Sequence, residues 1–166
     1  AAYLAVQKKI KKHTIKGGIR YTSTKLETSF DTNVITNALN IKKEDLYTNA
    51  ITPSVGYIFK KDNSKFYCSL SSAFKTPNVD DFGKVFEKSG NLTIPNTKLK
   101  PENSINYEIG SNFIQKHVDL DFAAYFTKVF NLMTKMQTTL NGVDSIDLNG
   151  NNLNLVSLQN SGTANI

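Results

Sequence analysis

The fold is decided by the stretch Asn103-Ser-Ile-Asn-Tyr-Glu-Ile-Gly-Ser-Asn-Phe113, the tight turn Ile114-Gln-Lys-His117, and Val118-Asp-Leu-Asp-Phe-Ala-Ala-Tyr-Phe-Thr127. In an extended chain successive side chains point to opposite faces. Ile105, Tyr107, Ile109 and Phe113 therefore share one face of the first arm, opposite Ser104, Asn106, Glu108 and Asn112. In the second arm Val118, Leu120, Phe122, Ala124 and Phe126 oppose Asp119, Asp121, Ala123, Tyr125 and Thr127. Each arm runs about ten residues or more, well past the usual strand of about five or six. A tilted strand needs roughly 9–11 residues to cross a bilayer. A long hairpin, apolar on one side and polar on the other, is the repeating unit of a transmembrane β-barrel.

The pattern extends outward from this hairpin. Further strands are predicted at about 1–10, 14–28, 49–60, 65–74 and 153–166, which makes seven with the two arms. In the third, Ile51, Pro53, Val55, Tyr57 and Phe59 alternate with Thr52, Ser54, Gly56 and Ile58. Lys11-Lys-His13 and Lys61-Asp-Asn-Ser64 are short turns, the second rich in turn-forming residues. The stretches 29–48, 75–102 and 136–152 are long polar connections. Within 75–102, Asn78-Val-Asp-Asp-Phe-Gly83 suits one helical turn, with Asn78 as its cap and two acids after it. Short and long connections alternate, as they do between the two sides of an outer-membrane barrel. The reading is all-β: an antiparallel, up-and-down transmembrane barrel segment of about seven strands. The short turns are expected on the periplasmic side and the long connections outside.

Composition agrees. The 166 residues are 39% hydrophobic, below the usual share of about 45–50%, because alternating strands need an apolar residue only at every second position. No run approaches the roughly eighteen apolar residues of a membrane-spanning helix. The net charge of +6 comes largely from lysines at predicted turns and loops. No aromatic-studded RNA-binding motif or helix-turn-helix spacing accompanies it, so nucleic acid is not an expected partner. Cys68 is the single cysteine and excludes an intrachain disulfide. Beside Phe66 and Leu70 it reads as a small hydrophobe.

Residues able to carry bond chemistry are sparse. His13 and His117 fall in predicted turns, and no His-x-x-x-His, paired-cysteine or EF-hand spacing exists, so neither a metal site nor a cofactor is predicted. Asp119 and Asp121 could mimic a catalytic carboxylate pair but read as lumen-facing charges near the periplasmic rim. There is no Gly-x-Ser-x-Gly elbow and no phosphate-cradling loop. No catalytic residue is proposed, and the chain does not read as an enzyme.

Two motifs resemble a known family. Ser72-Ala-Phe-Lys-Thr-Pro-Asn-Val-Asp-Asp-Phe82 and Leu99-Lys-Pro-Glu-Asn-Ser-Ile-Asn-Tyr-Glu-Ile-Gly110 are similar to the barrel half of TonB-dependent outer-membrane receptors. Phe74, Pro77, Asn78, Asp80 and Asp81 match the first family motif, with Lys75 where arginine is commoner and Thr76 in place of alanine. Leu99, Lys100, Pro101, Glu102, Ser104, Asn106, Tyr107, Glu108 and Gly110 match the second. Gly17-Gly-Ile-Arg-Tyr21, Thr52-Pro-Ser-Val-Gly-Tyr57 and Gln159-Asn-Ser-Gly-Thr-Ala164 are similar to three further family strands, in the family's order.

The resemblance implies a barrel of about 22 strands around an N-terminal plug. Such a receptor sits in the bacterial outer membrane and imports a scarce nutrient such as a ferric siderophore, haem or cobalamin. Residues 1–166 match only part of that barrel and include no plug domain. The implied partners are outer-membrane lipid, the remainder of the receptor, the TonB complex acting through the N-terminal part, and a small-molecule cargo such as a ferric chelate. Seven strands of alternating direction cannot close alone, so two sheet edges and a lipid-facing surface would remain.

Binding then falls to the loops, which carry function on a rigid frame. Asn78, Asp81, Lys84, Lys88, Lys98 and Lys100 are the ligand-binding candidates, a lysine-rich set that favours an anionic cargo. Phe74, Pro77, Pro101 and Glu102 are expected to organise the loop base. A competing reading is a soluble or surface-exposed β-sandwich that binds glycans or a partner protein. Its apolar faces would pack against each other.

Overall fold

A computed structural model of the chain describes residues 1–31, 42–148 and 150–166. Its main element is an antiparallel sheet of β1 (Ala2–Ile10), β2 (His13–Ser29), β3 (Lys43–Lys61), β4 (Ser64–Lys75), β7 (Glu102–Ile114), β8 (Asp119–Phe130) and the short β12 (Thr163–Asn165), in that order. The sheet does not close, and β1 and β12 are its edges. Between β4 and β7 lie a helical turn, α1 (Val79–Gly83), and two short strands, β5 (Phe86–Lys88) and β6 (Asn91–Thr93). Between β8 and β12 lie β9 (Met133–Gln137), β10 (Ser145–Leu148) and β11 (Asn151–Asn160).

Register converts the alternation into continuous rows. Val6, Gly17, Val55, Leu70, Tyr107 and Phe126 lie side by side across six strands. The row below runs Lys8, Ile15, Tyr57, Cys68, Ile109, Ala124. On the other face Ala5, Gly18, Ser54, Ser71, Asn106 and Thr127 form an equivalent polar row. A slip of one residue in any pair would send an apolar set to the polar side. The apolar face is bare: Leu4 is 65% exposed, Ile51 64%, Ile109 63% and Phe122 59%. No second sheet packs on it among the described residues, so the sandwich arrangement, which needs its apolar faces packed together, is not the one adopted. Cys68 is exposed on this face, between Phe66 and Leu70.

Aromatic residues border the apolar band. Toward the short turns, His13 lies beside Phe59, with ring centroids 5.1 Å apart, and Phe66 meets Phe113 edge-on at 5.5 Å. His13 belongs to β2 rather than to a turn, and its Nδ1 lies 2.6 Å from the Tyr57 hydroxyl. At the other end stand Tyr21, which donates to Asn49 Oδ1 at 3.0 Å, and Tyr47. Ile51 to Phe59 spans roughly 26 Å of strand at about 3.3 Å per residue, or about 20 Å of height at a tilt near 40°. Immediately beyond Tyr47 the outward face becomes charged, with Lys25, Glu27, Lys43 and Asp45 paired to one another.

The structure departs from the sequence reading in four places. β2 and β3 pair as far as Ser29 and Lys43, so the connection expected at 29–48 is shorter, and its residues 32–41 lie outside the described part. Beyond Tyr47 the alternation no longer separates a bare face from a polar one: Leu26 and Leu46 face inward as the floor of a packed layer. The connections 75–102 and 136–152 contain strands of their own. The strand expected at 153–166 breaks at Gly162, whose φ is +82°. Only Thr163–Asn165 joins the barrel wall, next to Lys128–Phe130. Leu153, Leu155 and Val156 are buried instead in a second sheet, β10-β11-β6-β5, with β9 paired to β11.

Candidate ligand-binding site

The small sheet and α1 form a cover that rests on the upper, inward face of β2 and β3. Asn78 starts α1 with a reciprocal capping box. Its Oδ1 accepts from the Asp81 amide at 2.8 Å, and Asp81 Oδ2 accepts from the Asn78 amide at 2.9 Å. This satisfies two amides that the first turn otherwise leaves free. The turn swings Phe82 inward, where it is fully buried against Leu46 of β3 and Leu99, with Leu26, Met133 and Leu158 beside them. A second core, Leu92, Ile94, Leu153 and Leu155, fills the opposite face of the small sheet. Gly83 lies tight on β2: a Cβ there would stand 3.0 Å from Thr28.

Hydrogen bonds tie the cover to the wall. Asn160 Oδ1 accepts from the Lys100 amide at 2.7 Å, while its Nδ2 donates to the Lys100 carbonyl at 2.8 Å and to the Asn131 carbonyl at 2.8 Å. Glu102 Oε1 accepts from the Met133 amide at 2.8 Å, and Lys75 Nζ lies 3.7 Å from Glu102 Oε2. Asn96 donates from Nδ2 to the Leu158 carbonyl at 2.8 Å. Pro77 is fully buried. The base of the cover is thus built from Pro77 and Glu102, as expected, and from Asn96 and Asn160, whose roles carry no local pattern because their partners are distant in sequence.

The six candidate residues do not converge on one point. Asn78 and Asp81 cap α1. Lys84 follows α1 and sets its ammonium 4.9 Å from the Phe86 ring centroid. Lys88 is exposed at the end of β5. Lys98 is exposed and its amide donates to Asn96 Oδ1 at 3.0 Å. Lys100 holds Asn160 with its backbone and leaves its side chain exposed. Residues 75–102 carry five lysines and four acids, so the connection is less basic than its lysines alone imply.

Below the cover, the polar face of the wall is electrically divided. Lys9, Lys16, Arg20, Lys60 and Lys65 line it on β1–β4, while Glu108, Asp119 and Asp121 line it on β7 and β8. Asp119 accepts from Asn112 Nδ2 at 2.6 Å. The Tyr67 ring lies over Gly110, filling the space a side chain would take: a Cβ there would be 2.3 Å from the ring. Among the described residues no cluster of three or more His, Cys, Asp or Glu could hold a metal ion.

Residues 1–166 match the family described as TonB dependent receptor-like, beta-barrel. The chain belongs to that family. Solved TonB-dependent receptors share its fold. A siderophore receptor PirA from Acinetobacter baumannii superposes with a TM-score of 0.65 at 17% identity, covering 98% of this chain and 32% of that one. A double mutant of the Serratia marcescens hemophore receptor HasR, in complex with its hemophore HasA and heme, gives 0.62 at 16%, covering 92% and 28%. The FrpB iron transporter from Neisseria meningitidis gives 0.61 at 15%, covering 97% and 21%. None of the curated protein sequences matches the chain. This TonB-dependent receptor segment spans a third or less of the structures it resembles. In its frame the apolar rows face lipid and the polar rows face the lumen.

Proposed function

We propose that the chain is a wall-and-cover segment of an outer-membrane receptor that imports a scarce nutrient (a ferric siderophore, haem, cobalamin or similar) with energy delivered through TonB. The observation that carries the reading is the cover itself. Two long connections fold together and pack on the lumenal side of β2 and β3, at the mouth of a wall with a bare apolar exterior. A cover in that position meets cargo before the lumen does, and a rigid wall below it supports gated passage. Binding and release need no bond chemistry, so the segment has no enzymatic part to play. Its partners are membrane lipid on the apolar face, and the plug and remaining strands on the lumenal face and the two edges. Asn78 and Asp81 shape the loop, and Lys84, Lys88, Lys98 and Lys100 supply cargo contacts.

The test is nutrient accumulation by bacteria that depend on the full-length receptor. Uptake that stops when the inner-membrane proton gradient is dissipated is the expected result. If residues 1–166 instead fold cooperatively as a monomer in water without detergent, the apolar faces pack on something internal and the barrel reading fails.

A further inference from the structure

The outward face of the wall changes character near the short turns. The row closest to the β1–β2 turn runs Ile10, His13, Phe59, Phe66, Ser111 and Phe122 across six strands. Two lysines are diagonal neighbours of His13 on the same face. Lys8, paired with Ile15, lies one row deeper on β1, and Lys61, two residues past Phe59, lies one row nearer the rim on β3. Diagonal neighbours in an antiparallel sheet stand about 7–8 Å apart, within reach of long side chains. Lys8 is exposed in a row that continues through Ile15, Tyr57 and Cys68, so its ammonium reaches the headgroup layer along its own methylene stem. On β4, β7 and β8 the outward positions at this end are Ser64, Phe66, Ser111, Phe113, Leu120 and Phe122. The outward strand cations therefore gather on β1–β3. Residues 8–13 and 60–65 together hold seven lysines and one acid, Asp62, which Lys12 meets at 4.0 Å.

His13 is held in place. Its Nδ1 lies 2.6 Å from the Tyr57 hydroxyl, and its ring stacks on Tyr57 and lies 5.1 Å from Phe59. With Nδ1 engaged, Nε2 is the nitrogen left for a ligand. Tyr57 leans toward the rim to make this contact. On the membrane side of it the short Cys68 side chain stands among Tyr57, Leu70 and Ile109, at a shallow, open depression of about 410 Å³. A basic patch and an apolar trough thus share Tyr57. A phospholipid joins the matching parts covalently, a phosphate at the membrane surface and an acyl chain below it. Clustered ammonium groups favour a headgroup with net negative charge and repel the cation of a zwitterionic one.

We propose that the outward rim of β1–β3 binds one anionic phospholipid of the periplasmic leaflet. Its phosphate lies among Lys8, His13 and Lys61, and an acyl chain lies over Cys68. This rests on the outer-membrane barrel reading, which puts the short turns at the periplasmic side.

The test uses purified, delipidated full-length receptor in detergent, titrated with dioleoyl phosphatidylglycerol and with dioleoyl phosphatidylethanolamine, bound lipid being counted by native mass spectrometry. The expected result is tighter binding of phosphatidylglycerol that weakens as salt rises. Lys8→Gln/Lys61→Gln raises its Kd about tenfold or more, whereas Lys8→Arg/Lys61→Arg, which keeps both charges, changes it by less than about threefold. Both positions are exposed, so neither change disturbs packing. A phosphatidylglycerol carrying a photoreactive acyl chain should label the peptide around Cys68. The site is overturned if the glutamine pair leaves the Kd unchanged, if the two lipids bind the wild type equally, or if the label falls only elsewhere. Each of these results leaves the barrel standing. A receptor that fails to insert into phospholipid vesicles and stays monomeric in water overturns the barrel reading and the site together.

Discussion

Asn160 holds Lys100 by both of its backbone polar groups, accepting from the amide at 2.7 Å and donating to the carbonyl at 2.8 Å. This joins the Leu99-Lys-Pro-Glu102 motif to the Gln159-Asn-Ser-Gly162 motif, some sixty residues apart, and the second Asn160 donor bond fastens the Asn131 carbonyl to the same point. Asn160→Ala should release all three bonds. Each is worth about 0.5–1.5 kcal/mol, with a further penalty for any group left buried and unpaired. Hydrogen exchange should then accelerate at the Lys100 amide and along β9, while β1–β4 keep wild-type protection. Equal exchange at Lys100 in both proteins would remove Asn160 as the anchor of the cover.

Phe82 is fully buried between Leu46 and Leu99, and cutting it back to alanine leaves a cavity. Phe82→Ala should cost the cover about 3–5 kcal/mol. Limited proteolysis of the receptor in detergent should show cleavage within 78–99 and none in β7 or β8. Uniform loss of the whole barrel would show that cover and wall fold as one unit.

Gly110 and Tyr67 form a matched pair on the lumenal face. A Cβ at 110 would stand 2.3 Å from the tyrosine ring, so Gly110→Ala must displace it. The expected cost is about 1–3 kcal/mol. Tyr67→Ala should remove most of that cost, because it removes the clash. Folded yield in bilayers measures both variants, and strict additivity of the two changes would refute the pairing.

The two faces of β7 should tolerate charge differently. Ile109→Arg puts a guanidinium among lipid-facing neighbours near mid-band and should cost roughly 2–4 kcal/mol, whereas Asn106→Arg on the lumenal face should cost little. Equilibrium folding into vesicles separates the two. Comparable penalties would contradict the assignment of faces.

At the outer tip of β2, beyond the spanning part that ends at Tyr21, Lys25 and Glu27 are paired on the outward face. The hydrogen bond from Lys25 holds the Glu27 carboxyl below its ordinary value, and the bond to Glu27 raises the lysine above its own. A lowered acid stabilises fully above its unfolded pKa and loses that contribution as pH falls through the folded value. A raised lysine stabilises fully below its unfolded pKa and loses its contribution as pH rises through the folded value. Protection of the β2–β3 tip should therefore be level at neutral pH and decline as the medium becomes strongly acidic. Glu27→Gln should abolish the acid limb, as read by amide exchange at Thr24–Thr28; an unchanged acid limb in that variant would assign it to other carboxylates.

Much of the wall was legible in the residues themselves. Alternation with a period of two assigns Tyr107 and Ile109 to one face and Asn106 and Glu108 to the other wherever the strand sits, because the geometry of an extended chain is local. Asn78 announced the cap of α1 for the same reason: its partner is only three residues away. The cover was not legible. Leu153, Leu155 and Val156 read as one more barrel strand, since nothing in their spacing says which neighbours bury them. Lys135 showed no sign of meeting Phe86, and Asn160 none of meeting Lys100, because those contacts depend on chain segments brought together from far apart.

The sequence by itself determined strand polarity, the alternation of short and long connections, and membership of the receptor family. Only the tertiary structure decided that two loops combine into a sheet, that this sheet rests on the lumenal face of β2 and β3, and which lysines meet a carboxylate or an aromatic ring. The division is physical. Backbone periodicity and turn chemistry act over a few residues and are written into every short stretch, whereas burial and charge pairing are properties of the assembled neighbours.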